Sequence, residues 1–285
     1  MHLPPLRALL LLGLVPVATG CDQMATPGDA PTAPLNVVDA SNLNELMLTV
    51  ADPEQAVAYF RNALAAEPDR VEFRRGYARA LQRADQHAEA ALVYAKLIED
   101  GLANTEDRIG YAEALARNNA WEEVEAQLAQ LPEMPSSYRM NMLRAMAADQ
   151  RGDWAAADRY YEAARRLTPR PARALNNWGV SKMSRGDLEA AEKAFLDAVT
   201  YDPKLFSAKN NLVIARGLQG KFTLPVIPMT EEEKAQLLHN LALIALRQGK
   251  EEVARSLLAE AVATHPRHFE AAVSKLAALD AAARR

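Results

Sequence analysis

Arg75, Arg79 and Arg83 stand four residues apart, so on a helix they share one face, and guanidinium groups in such a row can fork onto carboxylates. Like charges at that spacing repel by roughly 0.2–0.5 kcal/mol per pair, so something must neutralise them. Two sources are open: an acidic segment of a partner, or Glu72, Glu106 and Glu113 on the same or the adjoining helix. Cys21 is the single cysteine, which excludes an intrachain disulfide and leaves a thiol for other chemistry. His265 and His268 straddle Pro266 with no Cys or carboxylate cluster beside them, so no metal site is expected there. The chain has no P-loop, no G-x-S-x-G, no H-E-x-x-H and no Gly-rich dinucleotide fingerprint. The expectation is a protein that is not an enzyme and has no cofactor, no metal and no small-molecule substrate.

The elements that carry these residues are helical. Low aromatic content (6%) and abundant Ala suit closely packed helices better than sheets. Net charge is −4, so bulk charge gives no support for nucleic-acid binding. Residues 1–20 have one basic residue, Arg7, then an apolar run from Ala8 to Val17 and then small residues, the layout of a secretory signal peptide. Ala18-Thr19-Gly20-Cys21 is similar to a bacterial lipobox, with Ala18 where Leu is usual, which makes Cys21 the expected lipidation site and membrane anchor. An ordinary signal peptide cleaved nearby, with a leftover thiol, is the other reading. Residues 21–40, rich in Pro, Ala and Thr without apolar period, read as a flexible tether. The expected location is the cell envelope of a Gram-negative bacterium, facing the periplasm, with the outer membrane favoured although Asp22 leaves the inner membrane open.

Residues 172–205 are the clearest stretch of the body. Leu175, Trp178, Gly179, Gly186, Ala191, Phe195, Ala198 and Pro203 fall in register on the eight marker places of a tetratricopeptide repeat (TPR), a ~34-residue helical hairpin that this stretch resembles. Gly179 costs about 1 kcal/mol in a helix relative to Ala, so close approach of the partner helix is the expected return. The same register predicts copies along the chain. Ala56, Phe60, Ala63 and Pro68 close a first unit; Tyr77, Ala78, Ala90, Tyr94 and Leu97 mark a second, with Asp85 in place of the turn Gly. A third, with Tyr111, Ala112, Val124 and Leu128, is degenerate and ends early at Pro132 and Pro135, and Ala145, Gly152, Ala157, Tyr161, Ala164 and Pro169 restore the pattern.

Beyond the clearest unit, residues 206–220 make a first helix with no second. Residues 221–230 hold Pro225 and Pro228 around Val226-Ile227 and read as extended chain. Three roles are open for this insert: a strand in the groove, a surface offering Leu224, Val226 and Ile227 to a partner, or a cover over the flank left by the missing helix. Thr230 and Glu233 form a capping box at the next helix start, and Leu238, Leu241, Ala242, Gly249, Ala254, Leu258, Ala261 and Pro266 restore the repeat. Residues 269–285 would be the capping helix. The fold class is thus all-α, a TPR-type solenoid of helical hairpins forming a right-handed superhelix over residues 41–285.

An array of this kind exposes a groove lined by its first helices, at the second, fifth, ninth, twelfth and thirteenth places of each unit. Those places hold Arg75, Arg79, Gln82 and Arg83 in the second unit. The fifth place holds Asn176, Asn210 and His239 in later units, an amide and imidazole row that could bond an extended peptide backbone. The sixth holds Asn177, Asn211 and Asn240, where Asn is also common for structural reasons.

With its lipobox, tether and array, the chain resembles the TadD family, the TPR lipoproteins of tight-adherence (Flp-type) pilus assembly. The resemblance covers nearly the whole chain and is strongest over residues 172–203 and 238–266. It implies a non-enzymatic assembly factor that helps the outer-membrane secretin of the pilus machine to localise or multimerise, with Cys21 as the acylated residue. The other readings are a periplasmic adaptor of cell-wall enzymes, a component of outer-membrane protein assembly and, remotely, a hydrolase.

Overall fold

Small and apolar residues at helical spacing, closed by turns of positive φ, give fourteen α-helices among the residues that the computed structural model describes, 37–131 and 137–283. The expected leader (1–20), Cys21, the expected tether (21–40) as far as residue 36, Pro132 and Pro135 lie outside them, whereas residues 37–40, read as tether, are helical and open the helix Val37–Thr49. Packing divides the chain into two units, Met1–Glu45 and Leu46–Arg285, and the second is the solenoid. Of the first unit the described part is the opening of α1 (Val37–Thr49).

The chain then runs through α2 (Pro53–Ala66) and the hairpins α3 (Val71–Arg83) with α4 (His87–Glu99), and α5 (Thr105–Arg117) with α6 (Trp121–Ala129). Two more follow, α7 (Tyr138–Gln150) with α8 (Trp154–Arg166), and α9 (Ala172–Ser184) with α10 (Leu188–Tyr201). After α11 (Phe206–Leu218) no second helix forms. The hairpin of α12 (Glu231–Arg247) and α13 (Glu251–Thr264) leads to the last helix, α14 (Glu270–Ala283). This is the all-α, TPR-type solenoid that the repeat pattern predicts.

Each second helix buries the same two or three places. Ala56 with Phe60, Ala90 with Tyr94, Ala157 with Tyr161, Ala191 with Phe195 and Ala254 with Leu258 are all buried, so one bulky group per hairpin sits among small ones. Burying such a side chain stabilises by about 1.5–3 kcal/mol, and the neighbouring hairpin supplies part of the cover. The core clusters follow one another along the array, from α2–α7 through α7–α9 and α9–α11 to α11–α14.

Glycine takes two packing roles. A Cβ on Gly179 would stand 2.5 Å from the Phe195 ring of its own hairpin, which accounts for the missing side chain at that place. Gly76 and Gly110 sit elsewhere in the unit, and a Cβ there would meet Phe60 and Tyr94 of the preceding helix at 2.2 and 2.5 Å. They let one hairpin close on the one before it. At the turns, Asp85 and Asn119 hold φ of 57° and 61° where other hairpins use glycine.

Caps fix the helix starts. Asp187 accepts from the Ala190 N–H, Asp153 from Ala156 and Asp52 from Glu54. Thr230 and Glu233 exchange both bonds of a capping box, and the Glu233 carboxylate also accepts from Lys209 Nζ at 2.8 Å. Lys209 is only 2% exposed, so this bond ties α11 to the start of α12. Burial opposes ionisation of Glu233, yet the bonds from Lys209 and the Thr230 backbone outweigh it and hold its pKa below the ordinary value.

The insert between α11 and α12 has neither helix nor strand. Phe222, Leu224 and Met229 pack on the α11–α14 core, and Ile227 packs on the clusters of α9–α11. It therefore covers the flank that the missing second helix would occupy. Val226, by contrast, is a fully exposed apolar side chain of the insert.

Candidate partner-binding groove

The first helices α3, α5, α7 and α9, with Leu48 of α1 and the start of α11, line one groove of about 1100 Å³. Arg75, Arg79, Arg83 and Asn176 line it together. Asn210 and His239 are not in its lining; they lie on α11 and α12, where His239 packs on the Phe269 ring with centroids 5.4 Å apart. Of the fifth-place residues, Asn176 alone belongs to that lining.

The three arginines of α3 have different surroundings. Arg75 donates through Nε to Asp107 at 2.8 Å and through Nη2 to the Leu102 carbonyl. Asp107 is buried and completes a capping box with Asn104 at the start of α5, so one carboxylate both caps a helix and anchors Arg75. Arg83 donates to the carbonyls of Met47 and Ala51, each at 2.8 Å, which holds the end of α1 against α3 without cancelling the charge. Arg79 is exposed and makes no hydrogen bond or ion pair among the described residues.

The carboxylates of the neighbouring first helix are taken by another cation. Arg139 of α7 donates to Glu106 at 2.7 Å and grips Glu113 with a two-bond fork at 2.7 and 2.6 Å. The Glu113 bond leads the causes that raise the Arg139 pKa. Glu106 and Glu113 therefore do not neutralise the α3 row, and Glu72 pairs with Arg70 rather than with it. Arg117 at the end of α5 and Arg173 at the start of α9 also line the groove, exposed and without hydrogen bond or ion pair among the described residues. Every carboxylate in the lining is thus engaged, while Arg79, Arg117 and Arg173 present open guanidinium groups.

The walls between the charges are mixed. Tyr138, Met142 and Met146 of α7 give an apolar stretch, and Gln82 bridges the Tyr94 hydroxyl to the Gly110 carbonyl with bonds of 2.9 Å each. Burial pushes the Tyr94 phenol well above its ordinary pKa, so it stays protonated and donates. Asn211 donates to Asn176 Oδ1 at 3.0 Å, and Asn240 donates to Asn210 Oδ1 at 2.7 Å. Asn211 and Asn240 of the sixth place thus bind the fifth place of the unit before, which gives them and their partners Asn176 and Asn210 a structural duty between repeats.

Sequence reasoning overlooked Arg117, Arg139 and Arg173. Arg139 and Arg173 are second residues of their helices and Arg117 is a thirteenth. The places read on α3 would have found all three had they been read on α5, α7 and α9.

His265 and His268 lie in the turn before α14, where His265 stacks on Phe269 and His268 contacts Glu270. No group of three metal-ligating side chains occurs among the described residues, and no described helix is long and apolar enough to cross a membrane.

Two tetratricopeptide-repeat family profiles match the chain, over residues 48–106 and 142–205. The protein therefore carries tetratricopeptide repeats and has the architecture of a protein-interaction scaffold. Solved structures with the same fold include a tetratricopeptide repeat protein from Parabacteroides merdae, at 16% identity and TM-score 0.55 over 84% of this chain and 96% of that one. PilW, a widely conserved type IV pilus biogenesis factor, matches at 19% identity and TM-score 0.56 over 85% of this chain and 99% of that one. A chain of the anaphase-promoting-complex assembly Cut9–Hcn1 matches at 16% identity and TM-score 0.58, and this chain spans 49% of its length. No curated protein matches the sequence significantly.

Proposed function

We propose that the protein is a non-enzymatic envelope scaffold, anchored through lipid on Cys21, that holds a protein partner during assembly of a tight-adherence pilus. The observation that carries the scaffold reading is the groove itself: four first helices contribute side chains to one surface whose cationic groups outnumber the carboxylates able to satisfy them. The pilus reading is supported by the order of leader, Cys21 and repeats, and by the likeness to PilW along nearly its whole length. The secretin of the pilus machine is the proposed partner.

The test is a deletion strain examined for surface pili, growth and envelope integrity, with capture of the lipidated protein and its Cys21→Ala form from the native envelope. The expected result is loss of pili with normal growth, and recovery of the secretin. Recovery of cell-wall enzymes or of barrel-assembly proteins, with an envelope defect and intact pili, would overturn the pilus assignment.

A further inference from the structure

The groove says more about the partner than that it is a protein. Arg79, Arg117 and Arg173 come from three different first helices, α3, α5 and α9, so the open guanidinium groups are spread along the groove rather than gathered at one spot. A single phosphate or terminal carboxylate would satisfy one of them. A chain carrying several carboxylates can meet all three, since guanidinium forks onto carboxylate with two parallel bonds.

Two more features favour a peptide over another polyanion. The side chains of Tyr138, Met142 and Met146 give the same groove an apolar wall suited to side chains between the acidic ones. Asn176 and Asn177 also line it. The Asn176 oxygen is taken by Asn211, but the Asn177 carboxamide has no partner outside its own neighbour among the described residues. An extended segment, unlike a helix, has backbone N–H and C=O groups that such an amide can bond. Nucleic acid fits less well: the chain has a pI near 5.8 and a net charge of −4.

We infer that the groove receives an extended acidic segment of the partner, with carboxylates on Arg79, Arg117 and Arg173 and apolar side chains on the α7 wall. This rests on the scaffold reading above and adds the chemistry of the segment bound. The carboxylates supply the neutralisation that the groove lacks, and the surrounding ion pairs Arg75–Asp107 and Arg139–Glu113 stay in place as its frame.

The test is fluorescence anisotropy with the full chain and three labelled probes: a twelve-residue peptide mixing Glu with Leu and Ser, its Glu-to-Gln counterpart, and a twelve-nucleotide oligothymidylate. The acidic peptide should bind, more weakly as salt rises, and at least about tenfold more tightly than the Gln peptide. Each of Arg79→Gln, Arg117→Gln and Arg173→Gln should weaken it by about fivefold, the triple variant by roughly 100-fold. These side chains are exposed, so the variants should fold, which circular dichroism checks. Arg159→Gln, an exposed arginine of α8 outside the groove, should change nothing.

Equal binding of both peptides, no binding of either, or an unaltered triple variant would overturn the inference, as would an oligonucleotide that binds more tightly than the acidic peptide. Secretin capture that survives in the triple variant would leave the scaffold reading intact and remove this one. Acidic-peptide binding without secretin capture would keep this inference and remove the secretin as the partner.

Discussion

Replacing Gly179 by Ala isolates what lets a hairpin of this solenoid close. The added Cβ would stand 2.5, 2.7 and 2.9 Å from three atoms of the Phe195 ring, where carbon atoms ordinarily rest at about 3.5–4.0 Å. The shortfall is about 1 Å. Phe195 is wholly buried among Ala191, Leu212 and Ala215, so its ring cannot swing aside and α9 must move away from α10. Overpacking of this kind costs about 1–3 kcal/mol, while Ala returns about 1 kcal/mol of helix propensity. The expected net loss is between zero and about 2 kcal/mol. Urea unfolding followed by far-UV circular dichroism and by the fluorescence of the adjacent Trp178 would measure it. The decisive comparison is the same change made on a Phe195→Leu background. With the ring gone the clash is relieved, and Gly179→Ala should become neutral or stabilising by up to about 1 kcal/mol, a coupling of roughly 2 kcal/mol. A stabilising Gly179→Ala in the native background, or an equal effect in both, would refute the close-approach argument.

Asp85 holds φ 57° in a turn where its counterparts are glycines, so Asp85→Gly should raise stability by roughly 0.5–1 kcal/mol in the same urea assay. Lys209→Met removes the cation bonded to Glu233 at the start of α12 and should cost about 1–2 kcal/mol, the carboxylate keeping its cap bonds and partial access to water. Bonds from Arg165 and then Arg166 lower the Glu162 pKa from its ordinary 4.5 to about 2. A depressed carboxylate contributes stability that is present above the ordinary value and is lost as pH falls through the folded one. Stability should therefore decline between pH 4.5 and about 2, and Glu162→Gln should flatten that part of the pH–stability curve.

The hairpins were legible because their markers are local. Ala191, Phe195 and Ala198 repeat at fixed offsets, Asp187 follows its turn Gly186, and Thr230 with Glu233 spells a capping box, all within one unit of chain. What escaped depends on how one unit meets the next. Asp107 reads in sequence as an ordinary first-turn acid, yet it is buried because it caps α5 and takes Arg75 from the helix before. Gly76 and Gly110 fall outside the marker places, since they serve the contact with the preceding aromatic rather than the hairpin they belong to.

The candidate site shows the same division. The α3 row could be read from its four-residue spacing, whereas its separation into an engaged Arg75, a backbone-bonded Arg83 and an open Arg79 follows from contacts with α1 and α5. The fifth-place row likewise splits, since the Asn176 and Asn210 oxygens each answer to the following unit. For the insert, prolines showed where helix was impossible, and only the packing of Phe222, Leu224 and Ile227 shows that it replaces a missing helix.

The central claim is that the surface formed by the first helices holds a protein partner. Site-specific photo-crosslinking in the native envelope tests it most directly, with a benzophenone side chain placed in turn at positions 79, 117 and 173 of the groove and at position 196 on the exposed side of α10. The account predicts adducts from the three groove positions to one and the same protein, through an acidic segment, and none from position 196. Adducts from position 196 with silence in the groove would contradict it.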